Sequence, residues 1–322
     1  MNPSPLMGEG WDGGGDIAMA QEQKMKVVLG TATPGGGFPA YGWPYAEVLN
    51  ATDPTLAIEP INTKGSNENV VSLNEGKLDL GLVTGEVTYE AINGLGRPKA
   101  TNLRIINATY SQAGMFMVKA DSPHRSIGDL KGKSIAWGAA SSGFIVLARY
   151  VMDGLGLDMK KDFDAHLLEK AGDGPPMVLD GRAAAMWGGG VGWPPFTAIA
   201  KGPAGGRFVA PSAEEIRRIQ AKHPFLKQTT MPAGSYPGQS GPVNSVGSWP
   251  FVLARASLPD DVAYRLARAL HKGHAVLAKK LDQAKESTLE NTLAAAPTRE
   301  LIHPGVLKYM REIGLLKARP TR

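Results

Sequence analysis

The chain has 322 residues and a mass of 34.1 kDa, with 43% hydrophobic and 20% charged residues. This composition is typical of a folded globular protein and excludes a chain that is disordered throughout. The sequence contains no cysteine, which excludes disulfide bonds, thiolate nucleophiles and cysteine-ligated metal sites. Its 40 glycines and 24 prolines stand in separate clusters without a fixed period, which excludes a collagen-like or repeat architecture.

Charge and hydropathy also exclude two kinds of partner. The formal net charge is +5, but the basic residues are scattered and form no run of five, so we expect no nucleic-acid partner. An uncharged stretch, residues 183–200, contains four glycines and two prolines, which a lipid-spanning helix would not carry. Residues 228–254 are too polar to cross a bilayer, and we therefore expect no stable membrane insertion.

Residues 1–20 are predicted to be a disordered leader or the remnant of an export segment. Ala18-Met19-Ala20 followed by Gln21 has the A-x-A pattern that signal peptidase cleaves, but no apolar core precedes it. We therefore expect an exported, periplasmic protein whose signal peptide is incomplete in this sequence.

Strand-like and helix-like segments alternate after Gln21. Ten segments are predicted to be strands: residues 25–30, 57–62, 78–83, 103–108, 115–119, 134–138, 165–169, 183–187, 206–210 and 246–255. Helices are predicted over residues 142–154, where a serine supplies the N-cap, and from residues 258 and 303, where prolines follow at the first turn. The repeated strand–helix order predicts parallel sheets with helices on both faces.

Glycine-rich loops follow five of the predicted strands. Ligands of such sheets bind beyond the carboxyl ends of the strands, so we expect the loops to converge on one pocket. The loops are residues 31–37, 65–67, 84–86, 139–143 and 188–192.

These loops carry neither a nucleotide motif nor a catalytic set. Residues 31–37 lack the lysine and hydroxyl of a phosphate-binding P-loop, and no G-x-G-x-x-G opens a helix after the first strand. There is no G-x-S-x-G, and His271 and His274, spaced i, i+3, more simply belong to a solvated helix surface. We expect no enzymatic activity, no cofactor and no metal.

Non-catalytic binding of an anion agrees better with the loops, because the N–H groups of glycine loops and helix N-termini attract carboxylates and phosphates. The residues predicted to form the binding site are Thr31, Thr33, Gly36, Tyr41, Ser66, Asn67, Thr84, Glu86, Ser141, Ser142, Gly143, Gly188, Gly189, Gly190, Trp193 and Tyr236. The simpler alternative is that the glycines and serines form turns and caps and that the aromatic residues belong to the core.

Seven segments, taken in their order along the chain, resemble a known protein family. They are GTATPGGGFPAYG (residues 30–42), TKGSNENVVSLNEGKLDLGLVTGEVTYEAING (63–94), HRSIGDLKGKSIAWGAASSGFIVLARYVMDGLGL (124–157), DGRAAAMWGGGVGWPPF (180–196), HPFLKQTTMPAGSYPGQ (223–239), SVGSWPFVLARASLPDDVAYRLARAL (245–270) and HPG (303–305). In this order they resemble the TAXI class of solute-binding proteins of TRAP transporters, over about residues 26–315.

The resemblance implies an α/β, two-lobed fold of the type II periplasmic binding proteins. Each lobe would be a mostly parallel sheet flanked by helices, with a cleft between the lobes. By analogy, residues 21–119 and 240–322 form lobe one and residues 120–239 form lobe two, and the chain crosses near 120–126 and 233–245.

The resemblance also implies the function and the partners. The protein would be a monomeric receptor that closes like a Venus flytrap on a small anionic solute, an amino acid, a dicarboxylate or an aromatic acid. It would then deliver the solute to the membrane subunits of a TRAP transporter. A ligand-sensing module for a signalling partner is the alternative, and an exported enzyme is a third reading that the missing catalytic set disfavours.

Two loops depart from the usual pattern of the family. The loop after the first strand ends in Gly37-Phe38-Pro39-Ala40-Tyr41, and another reads Thr84-Gly85-Glu86. If Glu86 faced the pocket, it would repel a dicarboxylate, and otherwise it lies in the first turn of the next helix. The identity of the ligand is therefore not carried over from the family.

Overall fold

The computed structural model describes residues 24–316, so the predicted leader, residues 1–20, lies outside the described residues. In chain order the elements are β1 (Met25–Gly30), α1 (Gly37–Thr52), β2 (Leu56–Ile61), α2 (Ser66–Asn74), β3 (Leu80–Val83), α3 (Gly85–Asn93), β4 (Leu103–Ala108), β5 (Gln112–Lys119), β6 (Ser134–Ala139), α4 (Gly143–Leu155), β7 (Asp164–Leu168), α5 (Gly174–Leu179), β8 (Ala185–Gly189), α6 (Pro194–Ala200), β9 (Gly206–Val209), α7 (Ala213–Lys222), β10 (Lys227–Met231), β11 (Val243–Ser248), β12 (Phe251–Arg255), α8 (Asp260–Lys280), α9 (Leu289–Ala295) and α10 (Pro304–Glu312). Between residues 24 and 316, no helix combines the length and the apolarity that crossing a bilayer requires.

Lobe one is built on a five-stranded sheet with the order β2-β1-β3-β12-β4. Strands β1, β2 and β3 are parallel, and β12 is antiparallel to both of its neighbours, so four strands run in one direction. Helices α1 and α8 pack together on this lobe through buried side chains such as Leu49 and Leu270. The long helix α8 begins with two acids, Asp260 and Asp261, and ends with two lysines, which matches the polarity of the helix dipole.

Lobe two is built on a seven-stranded sheet. Its main order is β10-β11-β5-β8-β6-β7, with β9 paired to β5. Strands β6, β7 and β8 are parallel, whereas β5 is antiparallel to β8, β9 and β11. The core contains an aromatic cluster in which the rings of Trp137 and Trp187 both contact Phe116 edge-on. These two mixed α/β sheets with flanking helices have the architecture expected from the sequence.

The chain passes between the two sheets at positions different from those the sequence suggested. It leaves lobe one between β4 and β5, at residues 109–111, and returns between β11 and β12, at residues 249–250. The sequence analysis placed the crossings at residues 120–126 and 233–245, and so assigned β5 and β11 to lobe one. The pairing of β5 with β11 and with β8 decides that both strands belong to the second sheet, and these partners are distant in sequence.

Two further elements differ from the prediction. The strand predicted over residues 246–255 is divided at Trp249-Pro250 into β11 and β12, which lie in different sheets. Strand β10, KQTTM, was not predicted, because it is mostly exposed and polar and gives no apolar alternation. It forms an edge of the second sheet, where only one side of the strand needs a partner.

Candidate functional site

A cavity of about 40 Å³ lies where loops of both lobes meet. It is beyond the carboxyl ends of β1, β2 and β3 in lobe one and of β6 in lobe two, while Gln112 reaches it from the first position of β5. The lining residues are Ala32, Thr33, Gly36, Gly37, Phe38, Lys64, Thr84, Gln112, Ala139, Ser142, Phe144, Ala171 and Trp193.

Four helices begin at the loops around this cavity: α1, α2 and α3 from lobe one and α4 from lobe two. The N-terminus of a helix carries partial positive charge from N–H groups that have no partner within the helix. At the start of α4 the Ser142 hydroxyl accepts a hydrogen bond from Phe144 N (3.2 Å) and keeps its own proton for donation. The local backbone therefore favours a negatively charged group.

Thr84 is the most informative side chain of the lining. It is 3% exposed, and its hydroxyl has no partner in hydrogen-bond geometry among the described residues, although it lies close enough to the Glu86 carboxyl group to lower the pKa of that group. Its backbone N–H donates to Ser66 Oγ (3.1 Å), which fixes the loop between β3 and α3. A buried hydroxyl without a partner costs about 1–3 kcal/mol.

Lys64 is the one charged side chain among the described residues that line the cavity. The remaining polar lining comes from Thr33, Thr84, Ser142 and Gln112, all of which can donate a hydrogen bond. No carboxylate is among these lining residues. The charge and the donors together select for an anion.

Five of the residues predicted to bind ligand line the cavity, and several others are adjacent to it. The lining ones are Thr33, Gly36, Thr84, Ser142 and Trp193. Gly143 is adjacent, since a Cβ atom on it would lie 2.1 Å from Thr84 Oγ1 and 2.8 Å from Ser66 Oγ. The absence of a side chain at Gly143 lets the two lobes approach each other at this point.

Three more of the predicted residues, Asn67, Ser141 and Gly188, lie near the cavity without lining it. Asn67 and Ser141 contact each other between the lobes. Asn67 Nδ2 donates to the carbonyl of Ser141 (3.1 Å), which joins the start of α2 to the loop before α4. Within lobe two, Gly188 lies beneath the ring of Trp193, where a Cβ atom would be 2.0 Å from the indole. These three residues shape the surroundings of the cavity rather than its lining.

The other predicted residues have structural partners away from the lining. The Thr31 hydroxyl donates to the carbonyl of Ile61 (2.8 Å), and that of Tyr41 donates to Ser287 Oγ (3.0 Å). The Tyr236 hydroxyl accepts from Trp193 N (2.8 Å) and donates to the carbonyl of Gly190. Gly189 faces β5, where a Cβ atom would lie 1.8 Å from the Ala113 carbonyl oxygen. The sequence cannot distinguish a loop hydroxyl that faces a cavity from one that ties neighbouring strands together.

Glu86 lies in the first turn of α3 and is not part of the cavity lining. The side chain is 2% exposed, and Ser248 Oγ donates to its carboxylate (2.6 Å). Burial raises the pKa of this carboxyl group, an effect that the hydrogen bond from Ser248 opposes. Of the two positions considered for Glu86 in the sequence analysis, the structure has the helical one.

The sequence analysis missed several lining residues, of which Lys64 and Gln112 are the most polar. Lys64 directly precedes Gly65-Ser66 after β2, and its charge beside a glycine-rich loop was a usable signal. Gln112 gave no such signal, because it lies before the strand predicted over residues 115–119, whereas β5 begins at Gln112 itself. Phe38 and Phe144, at the starts of α1 and α4, contribute apolar walls in addition to Trp193.

Several solved structures share this architecture at low sequence identity. The XAC2383 protein of Xanthomonas citri, solved with a chloride ion, superposes with a TM-score of 0.51 at 14% identity, over 90% of this chain and 96% of that one. A substrate-binding protein of an amino acid ABC transporter gives 0.50 at 14% identity, over 82% and 100% of the two chains. A TctC solute-binding protein from Polaromonas gives 0.50 at 15% identity, over 90% and 98%.

At this level of identity the likeness shows the fold alone, which is that of the type II periplasmic binding proteins. The sequence itself matches the NMT1-like family over residues 29–314. Because this match spans most of the 322 residues, the protein belongs to the NMT1-like family.

Proposed function

We propose that the protein is an extracytoplasmic receptor that binds a small organic carboxylate in the cleft between its lobes and performs no catalysis. The observation that carries this proposal is a cavity between the lobes that Lys64 lines as the only charged residue among those described, with the buried, geometrically unpaired hydroxyl of Thr84 beside it. Helix N-termini from both lobes add partial positive charge around the same space. The candidate ligands are amino acids, dicarboxylates and aromatic acids.

The size of the cavity supports binding by closure. About 40 Å³ accommodates a water-sized group, such as the anionic head of a ligand, and not a complete amino acid. Binding of a whole solute therefore requires the lobes to separate about the two crossings at residues 109–111 and 249–250 and then to close around it with a wider gap than they have here. A ligand that contacts both lobes favours the closed form by its difference in affinity for the two states.

The first test is a binding screen by thermal shift and calorimetry. L-glutamate, succinate and benzoate would be compared with the uncharged succinamide and benzamide. A carboxylate at 100 times its dissociation constant is expected to stabilise the fold by about 2.7 kcal/mol, whereas its amide should have no effect. Equal binding of an acid and its amide would contradict an anion site.

The second test assigns the site with a matched pair of threonine variants. Thr84→Val is expected to lower carboxylate affinity about tenfold with little loss of stability, because the hydroxyl it removes has no partner in hydrogen-bond geometry among residues 24–316. Thr31→Val removes the hydrogen bond to Ile61 and should cost about 1 kcal/mol of stability, with affinity unchanged. If both variants bind as tightly as the wild type, Thr84 is not part of the site.

We further propose that the receptor delivers its ligand to the membrane subunits of a TRAP-type secondary transporter, in keeping with the ordered segments that resemble the TAXI class. The test is uptake into proteoliposomes that contain those subunits. Uptake of the bound carboxylate is expected to require this protein and an ion gradient, and to proceed without ATP. Uptake that depends on ATP would assign the receptor to an ABC transporter instead.

A further inference from the structure

The two lobes also meet through a buried carboxylate that lies outside the lining of the cavity. Glu90, on α3 of lobe one, is 4% exposed. Its Oε2 atom accepts a hydrogen bond from Nη2 of Arg97 in the same lobe (3.1 Å). The second oxygen, Oε1, has both of its hydrogen-bond donors in lobe two.

Those donors are neighbours on α4. The Arg149 guanidinium forms an ion pair with Glu90 Oε1, and the Tyr150 hydroxyl donates to the same atom (3.2 Å). Burial, reinforced by the negative charge of Glu90, raises the pKa of Tyr150 to about 12, so the phenol stays a neutral donor at physiological pH. Arg149 is 59% exposed at its side chain, and it can therefore swing into solvent when the lobes separate.

Other contacts support the same junction. The ring of Tyr89, one residue before Glu90, stacks on Phe225 of lobe two with centroids 4.0 Å apart and planes 8° apart. Phe225 in turn contacts the ring of Tyr150 edge-on. The aromatic contacts thus add apolar packing between the lobes next to the ion pair, which itself borders an open cavity of about 950 Å³.

We propose that Glu90, Arg149 and Tyr150 form an interlobe clasp that holds the closed conformation without touching the ligand. Opening would leave the Glu90 carboxylate with Arg97 as its protein partner and would remove both donors of Oε1. The three are positioning residues, and they set the closed-to-open ratio and therefore the affinity for any ligand that requires closure. The inference rests on the proposed function in one respect, which is that the lobes open and close.

The clasp can be tested without a ligand, by measuring the distance between the lobes. The sequence has no cysteine, so Val71→Cys on α2 and Arg217→Cys on α7 provide the two attachment sites for spin labels. In this background the wild-type clasp is expected to give a closed-distance population. Arg149→Met should lower the closed-to-open ratio roughly three- to tenfold, as expected for a charged hydrogen bond that is partly screened by solvent.

Further variants distinguish loss of the clasp from a general effect of removing a surface arginine. Arg182→Met is the matched control, because Arg182 is 63% exposed and pairs with Asp180 within lobe two, so the distance distribution should stay unchanged. Tyr150→Phe keeps the aromatic contacts and should shift the distribution in the same direction as Arg149→Met, by less. Glu90→Gln combined with Arg149→Met should open the protein no further than the larger single effect.

A wild-type protein without a closed population, or a closed population that Arg149→Met leaves unchanged, would overturn the clasp. Neither result bears on the anion site, which the threonine variants test separately. Conversely, failure of every carboxylate to bind would leave the distance measurement interpretable, because it uses the protein alone.

Discussion

Single residues in this protein determine how closely the lobes approach. Gly143 opens α4 directly opposite Thr84, and the separation between them leaves no room for a Cβ atom. Gly172 also faces the other lobe, but a Cβ atom there would meet nothing nearer than Gly35 Cα at 4.0 Å. Substitution of Gly143 and of Gly172 can therefore be compared to test whether the lobes must approach closely at Gly143.

Gly143→Ala is predicted to lower ligand affinity by at least about tenfold. The added methyl group would lie 2.1 Å from Oγ1 and 2.4 Å from Cγ2 of Thr84, a β-branched side chain that cannot turn away easily. The fold itself should be intact, since alanine is a better helix former than glycine. Calorimetry checks the affinity and thermal unfolding the stability, with Gly172→Ala as the control that binds normally. Wild-type affinity in Gly143→Ala would show that the lobes need not meet at this point.

The sequence predicted which loops surround the cavity better than it predicted which of their side chains point into it. Thr31, Thr33 and Thr84 all follow strands and looked equivalent, but only the latter two line the cavity. Lys64 directly precedes the predicted loop at residues 65–67 and was not among the predicted binding residues. Which way a loop side chain points depends on neighbours from distant parts of the chain, such as Ile61 for Thr31, and these are not visible in the local pattern.

Among the elements, α3 places two buried carboxylates one turn apart with different electrostatic surroundings. Glu90 is paired with two arginines, whereas Glu86 has a serine hydroxyl as its hydrogen-bonding side chain. Burial raises the pKa of Glu86 above its usual value, with a smaller contribution from the negative charge of Glu90. Helix α3 thus carries Glu90, whose ion pair with Arg149 favours closure, and Glu86, whose burial disfavours the ionised form of its carboxyl group.

This difference predicts the pH dependence of stability for Glu86→Gln. A carboxyl group with a raised pKa binds more protons in the folded state, so wild-type stability should fall as pH rises from the unfolded pKa near 4.5 through the folded pKa. The Gln variant cannot ionise and should lose this component of the profile. Urea unfolding between pH 4 and 8 is the measurement. Parallel profiles for the two proteins would show that the carboxyl group titrates as if exposed.

The elements themselves were largely predictable because their apolar patterns are strong. Strands β1 and β4 have the predicted bounds, and α4 begins one residue after its predicted N-cap serine. Strand β10 was missed because it is polar and exposed, and the turn at Trp249-Pro250 was read as the interior of one strand. Local periodicity determines where an element forms, whereas its sheet depends on partners far along the chain.

Movement of the two lobes relative to each other should be visible in the fluorescence of Trp193, because its indole contacts lobe one. Its indole belongs to lobe two and is 7% exposed, and a Cβ atom on Gly37 of lobe one would lie 3.0 Å from it. Separation of the lobes would expose this ring to water. Tryptophan emission should therefore report the position of the lobes.

A bound carboxylate is predicted to shift tryptophan emission to shorter wavelength and to reduce the radius of gyration in small-angle scattering. Trp193→Phe should remove most of the emission shift while the change in scattering persists, because phenylalanine retains an apolar wall. An emission shift of wild-type size in Trp193→Phe would place the responding tryptophan elsewhere.

Composition, strand–helix order and the glycine-rich loops were enough to predict α/β sheets with a ligand pocket at their loops, because each depends on residues that are close in sequence. The division into two lobes was predicted from the family resemblance and not from these local patterns. The tertiary structure decided where the chain crosses between the sheets, which loop side chains line the cavity and that Glu90 pairs across the lobes. Those features join residues from opposite lobes or distant strands. Their contacts exist only after both sheets have formed and packed, and no local pattern encodes them.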